Sequence, residues 1–167
     1  MNAKTMFALM CAAATLALGA TAKDSGGGKA GERDYYRMDA AELAKLAESG
    51  DVAAQHAHAY RLLMKGGKKP DMAEVVRWLS KSADGGYVPA QFNLGEILLN
   101  GLGGVATNEV VGVEWIRKAA DAKPGSGDGS SQISLASARY ELGVCYRDGR
   151  GVKKDVKRAN RWSCKTL

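Results

Sequence analysis

The stretch Ala138–Leu167 reads ARYELGVCYRDGRGVKKDVKRANRWSCKTL, and the chain contains two further copies of its pattern. Ala90–Ala120 reads AQFNLGEILLNGLGGVATNEVVGVEWIRKAA, and Ala54–Ala83 reads AQHAHAYRLLMKGGKKPDMAEVVRWLSKSA. Trp78, Trp115 and Trp162 share one slot, with Asp71, Asn108 and Asp155 seven residues before them and Lys81, Lys118 and Lys165 three after. From Asp71 to Asn108 is 37 residues, and from Asn108 to Asp155 is 47. A unit of about 36 residues explains both spacings if the first carries one extra residue in the turn GLGGV. The second then carries an insertion, Asp121–Leu135 (DAKPGSGDGSSQISL).

Each unit reads as two helices. The first, helix A, carries a small and apolar face at i, i+4, i+8: Ala90, Leu94, Leu98 in the second copy and Ala138, Leu142, Tyr146 in the third. Gly101 or Gly149 stops it, as glycine commonly does at a helix end. Asp71, Asn108 or Asp155 then caps the second, helix B, by accepting from free backbone N–H groups. Helix B is expected to bury Val75 and Trp78, Val111 and Trp115, or Ala159 and Trp162. No window shows sustained strand alternation. Ahead of the first copy, Asp39 and Glu42 have capping-box spacing, so residues 39–49 predict one more helix, a half-unit covering the N-terminal end.

The rest of the N-terminus has different character. Met1–Ala22 combines Lys4, an apolar run from Met6 to Leu18, and Ala20-Thr21-Ala22 before Lys23. That is the anatomy of a secretory signal peptide cleaved near Ala22, which implies a periplasmic or secreted protein. The run is shorter than the roughly 20 residues a membrane span requires. Met10 before Cys11 lacks the small side chain of a lipoprotein signal. Residues 23–37, with DSGGGKAGER at Asp24–Arg33, read as a flexible linker. Domain boundaries follow: signal 1–22, linker 23–37 and a repeat domain 38–167. Its units lie at about 50–87, 88–122 and 135–167, with a loop insertion over 121–135.

The third copy meets the pattern A-x3-L-G-x2-Y-x2-G-x-G-V-x2-D-x3-A-x2-W-x2-K almost throughout, and it resembles the Sel-1-like repeat, a relative of the tetratricopeptide repeat. The resemblance spans roughly Gly50 to Leu167. The first copy departs from it, with His58 in the Leu slot, Lys65 in the first Gly slot and Lys68 in the Val slot. The resemblance implies an all-α fold: a right-handed α/α superhelix, or solenoid, of about three helix-turn-helix repeats plus an N-terminal capping helix. It also implies a protein–protein interaction scaffold, with partners gripped in a concave groove lined by helix A.

A second stripe on helix A fits that groove: His56, Tyr60, Leu63, then Phe92, Glu96, Leu99, then Tyr140, Val144, Arg147. The alternative is that these residues pack against the neighbouring repeat. The candidate partner-binding set is therefore Tyr60, Leu63, Phe92, Glu96, Leu99, Tyr140, Val144 and Arg147. The insertion 121–135 is a second candidate contact, or a passive loop. An oxidising compartment permits a disulfide between Cys145 and Cys164, worth roughly 3 kcal/mol if unstrained. Cysteine-rich members of the family bridge neighbouring half-repeats through other slots.

The formal net charge is +6, or +5 without Lys4. The excess gathers at the C-terminal end in Arg139, Arg147, Arg150, Lys153, Lys154, Lys157, Arg158, Arg161 and Lys165, against Glu141, Asp148 and Asp155. This face is either simply solvated or binds an anionic polymer of the cell envelope. Nucleic acid is not expected for an exported chain. Catalysis finds little support. There is no Ser-x-x-Lys for a cell-wall or β-lactam hydrolase, and the only histidines, His56 and His58, are two apart and point to different sides of a helix. No catalytic residue, metal or cofactor is assigned. The expected protein is a monomer with a protein or peptide partner, such as an envelope-stress component or an effector it neutralises as an immunity protein.

Overall fold

The computed structural model describes residues 34–64, 70–123 and 129–164. The expected signal peptide, most of the expected linker, the turn of the first copy with Lys65 and Lys68, the middle of the insertion and Lys165 lie outside the described residues. Among the described residues seven α-helices follow in order: α1 (Ala40–Glu48), α2 (Val52–Met64), α3 (Met72–Asp84), α4 (Val88–Asn100), α5 (Glu109–Ala120), α6 (Gly129–Asp148) and α7 (Val156–Cys164). Helices α2, α4 and α6 are the A helices, and α3, α5 and α7 are the B helices. Each helix packs mainly on its sequence neighbours, and α4 also meets α6, which is the connectivity of a stacked solenoid.

The helix ends form where the expected chemistry is. Asp39 accepts from Ala41 N and Glu42 N, and Asp71 accepts from Ala73 N and Glu74 N. Asn108 accepts from Val111 N, and Asp155 from Arg158 N. Gly101 and Gly149, at φ 63° and 79°, take the left-handed conformation that ends α4 and α6.

A repeated joint links one unit to the next. Gln55 Nε2 donates to Ala47 O and Gln91 Nε2 to Ala83 O, each at 3.1 Å, while Arg139 Nε donates to Ala120 O at 3.2 Å. In each case the second residue of the copy satisfies a carbonyl at the end of the preceding helix. Such carbonyls have no partner inside their own helix. Because Ala47 stands where Ala83 and Ala120 stand, α1 occupies the place of a helix B.

The core runs along the stack in two clusters that both draw on α4. One packs Leu43, Ala54, Val75, Leu79, Ala90, Leu94 and Ile97; the other packs Leu99, Val113, Ile116, Ala138, Leu142 and Tyr146. In the second copy the buried face of helix B differs from expectation. It consists of Gly112, Val113 and Ile116, whereas Val111 and Trp115 are half-buried. The reason is the contact between Gly112 and Gly95. A Cβ on Gly112 would stand 2.7 Å from Leu99 N and 2.9 Å from Gly95 O. Two glycines face to face bring the backbones together and rotate Trp115 to the rim. There Lys118 Nζ sits 3.7 Å from the Trp115 ring centroid, as Lys81 Nζ sits 4.4 Å from that of Trp78. The Trp-x-x-Lys spacing of the repeat is thus a cation–π pair on a helical surface.

Two sequence boundaries need correction. The insertion is not a loop throughout, because α6 begins at Gly129 and runs unbroken into the third copy. Ser131 and Leu135 are buried, and Ser130 Oγ meets the Tyr87 hydroxyl at 3.1 Å. Burial of that face turns a Gly/Ser-rich segment into about two added helical turns. The linker likewise ends early. Residues 35–37 form a turn in which Asp34 O accepts from Arg37 N and Met38 N.

Candidate functional site

The helix-A stripe divides by burial into core, floor and surface. Leu99 is 0% exposed and belongs to the second hydrophobic cluster, so it is a packing residue and not a partner contact. Leu63 and Tyr60 are half-buried against the first cluster, and Phe92 is half-buried against the second. Val144 is half-buried as well. Tyr140 stands 59% exposed, the most open of the large apolar side chains on the described residues. Arg147 is exposed and held locally by Asp148, at 2.8 and 2.9 Å. The pairing with Asp148 lowers that carboxyl below its usual range.

At the N-terminal end the stripe is joined across repeats. Asn93 on α4 lies 2.9 Å from His56 Nε2 on α2. The other ring nitrogen, Nδ1, lies 3.3 Å from the Tyr36 hydroxyl, and the Tyr36 and Tyr60 rings meet edge to face at 5.5 Å. Arg61 donates to Tyr36 O at 3.1 Å and also to Met38 O. Tyr36, Arg61 and Asn93 were absent from the sequence-derived set. The adjacent pair Tyr35-Tyr36, anomalous beside a Gly-rich linker, was the available signal.

Toward the third repeat the stripe becomes acidic and buried. Glu96 is only 7% exposed; Asn100 Nδ2 donates to its Oε2 at 3.3 Å, while Oε1 is buried without a hydrogen-bond partner. Burial is the main force lifting the Glu96 carboxyl to about 7; Glu141 adds to it and Arg150 opposes it. Burial also raises Glu141, again against Arg150. Arg150, from the turn after α6, donates to Glu109 Oε1 at 3.3 Å, and to Leu99 O and Asn100 Oδ1 at 3.1 Å each. It fastens the third repeat to the second. In the sequence Arg150 counts only as one of the basic C-terminal side chains; its fastening role is not legible there, because the slot is Leu102 in the second copy and carries no repeat signal.

The anticipated disulfide is not formed. Both thiols are free: Cys145 is buried in the second cluster, and Cys164 is exposed at the end of α7. One points into the core and the other into solvent, and burial pushes the Cys145 thiol up to about 12. At the C-terminal end Lys153, Lys154, Lys157, Arg158 and Arg161 are exposed, giving the last helix a polar outer face. Among the described residues, no three His, Cys, Asp or Glu side chains are placed to hold a metal. Nor is any described helix long and apolar enough to cross a membrane.

Antiparallel helix pairs stacked so that one helix of each pair lines a common face define an α-solenoid scaffold. The family model of the Sel1 repeat matches residues 52–87, 88–124 and 136–165, and the chain belongs to the Sel1 repeat family. Such repeats generally mediate protein–protein interaction. The fold is similar to that of a Sel1 repeat protein from Oxalobacter formigenes, with a TM-score of 0.66 and 27% identity over 81% of this chain and 94% of that one. It is also similar to c5321, a protective antigen of uropathogenic Escherichia coli strains with an SLR fold, with a TM-score of 0.64 and 29% identity over 77% of this chain. This chain spans 25% of that antigen's length. No curated protein matches the sequence significantly.

Proposed function

We propose that the chain is an exported, non-catalytic scaffold that binds a protein or peptide partner along the helix-A face. Membership of an interaction-repeat family supports binding, and the leader-like residues 1–22 support export. The observation that carries the site is Tyr140. A large aromatic side chain is left more than half exposed in register with His56 and Phe92, on the same stripe as Tyr60, and exposed aromatics on a rigid frame are favoured interface anchors. Half-buried Val144 and exposed Arg147 extend the same line. The partner would be an envelope component or a secreted effector.

The test is capture from an envelope fraction with mature protein from Lys23 onward beside its Tyr140→Ala variant. Tyr140 is better suited than Phe92, because Phe92 also packs on the core. A partner retained by the parent and lost by the variant supports this site. A partner retained by both moves the site to the exposed basic side chains of α7 and its preceding turn, which is the second reading. Moderate salt would then weaken the binding, as it does for exposed charge contacts. Turnover of nitrocefin or peptidoglycan by purified protein would overturn the non-catalytic reading.

A further inference from the structure

The turn at residues 34–38 does not rest on a neutral part of the surface. Tyr36 meets the helix-A stripe and Arg61 beside it: the ring on Tyr60, the hydroxyl on His56, the carbonyl on Arg61. Arg61 takes two carbonyls of the turn at once, those of Tyr36 and Met38. At the other side Tyr35 Oη donates to Asp51 Oδ2 at 2.9 Å, which ties the turn to the start of α2. His56 is 6% exposed and bridges Tyr36 to Asn93, so the turn's hydroxyl reaches a link between the first two repeats. Yet Tyr36 itself remains 43% exposed. It is laid on the stripe and not sunk in a core, as a ligand side chain would be.

We propose that Asp34–Met38 is a built-in ligand of the helix-A face. It occupies the N-terminal compartment made by His56, Tyr60, Arg61 and Asn93, and a partner using that compartment must displace it. The recognition chemistry is that of a tight turn presenting a tyrosine. An aromatic edge meets Tyr60, a phenolic hydroxyl meets an imidazole nitrogen, and backbone carbonyls meet a guanidinium that offers several donors. The external partner this compartment fits therefore presents a tyrosine on a turn. The inference deepens the scaffold reading and shares its face, but its test needs no external partner.

The probe is a fluorescent peptide of residues 30–40, AGERDYYRMDA, added to full mature protein and to its Tyr36→Ala variant. Tyr36 is 43% exposed and is not one of the buried or half-buried side chains of the two clusters, so the variant is expected to keep its helical circular dichroism. The expected result is saturable binding to Tyr36→Ala that is at least about tenfold tighter than binding to the parent, whose compartment is filled. A peptide with Tyr replaced by Ala at the position of Tyr36 should not bind. An Arg61→Gln change added to the variant should weaken the peptide, because it removes the grip on the carbonyls. Equal binding to parent and variant, or none to a folded variant, would overturn the proposal. Neither result depends on whether a partner is captured from extracts, so failure here and failure of the scaffold reading are separable.

Discussion

Glu96 shows how a single side chain can set the pH behaviour of the stack. Its carboxyl is ordinary in the unfolded chain, near 4.5, and sits at about 7 in the folded one because it is buried. A folded value above the unfolded one means that the neutral form is favoured by folding. Its favourable contribution is complete below about pH 4.5 and is lost as the pH rises through 7. The loss is on the order of 3 kcal/mol at most, taking about 1.4 kcal/mol for each pH unit between the two values. Glu96→Gln removes the ionisation and keeps the shape. Urea melts should show the variant more stable than the parent at pH 8 and nearly equal to it at pH 5. An equal gain at both pH values would mean that ionisation of Glu96 is not the cause. The sequence shows a Glu in register with Tyr60 and Val144, which marks the position as unusual but does not say that it is buried.

At the scale of elements, the Gly95–Gly112 crossing fixes how α4 and α5 meet. Helix propensity alone favours alanine over glycine by about 1 kcal/mol. Here the added methyl would strike backbone atoms of Leu99 and Gly95, which cannot rotate away as a side chain can. Overpacking of this kind costs about 1–3 kcal/mol. Gly112→Ala should therefore lower the thermal midpoint despite its better propensity; an unchanged or higher midpoint would show that the helices can part freely. The periodicity made both helices and their caps legible. It did not make the crossing legible, because the slot three residues before Trp is Val75, Gly112 and Ala159 in the three copies. The same limit applies to the insertion. Gly and Ser between Asp121 and Leu135 have weak helix preference, and only burial of Ser131 and Leu135 explains why α6 starts so early.

In the whole molecule, stability is a chain of neighbour contacts, so damage should stay local. Arg150 is the clearest fastening between the second and third repeats. Its pair with Glu109 is more than a third open on average and contributes little by itself. The bonds to Leu99 O and Asn100 are the larger part, about 1–3 kcal/mol for a charged donor removed from its acceptors. In Arg150→Ala, amide hydrogen exchange should speed up in α7 and the end of α6 while α1–α3 stay protected. Uniform loss of protection would mean that the stack unfolds as one unit. The candidate groove belongs to this scale too. Its register could be read from the repeat, but which members reach solvent could not: Leu99 went to the core, Tyr140 stayed open, and Tyr60 received Tyr36.

The sequence by itself determined the helical unit, its caps, its stops and the number of copies, because these depend on local spacing and on residues that act within one turn. Only the tertiary structure decided which side of each helix is buried, where the insertion becomes helix, that both cysteines stay free, and that the N-terminal turn lies on the helix-A face. Those outcomes depend on distances between residues far apart in the chain, such as Tyr36 from His56 and Arg150 from Leu99. No local pattern encodes such distances until the helices pack.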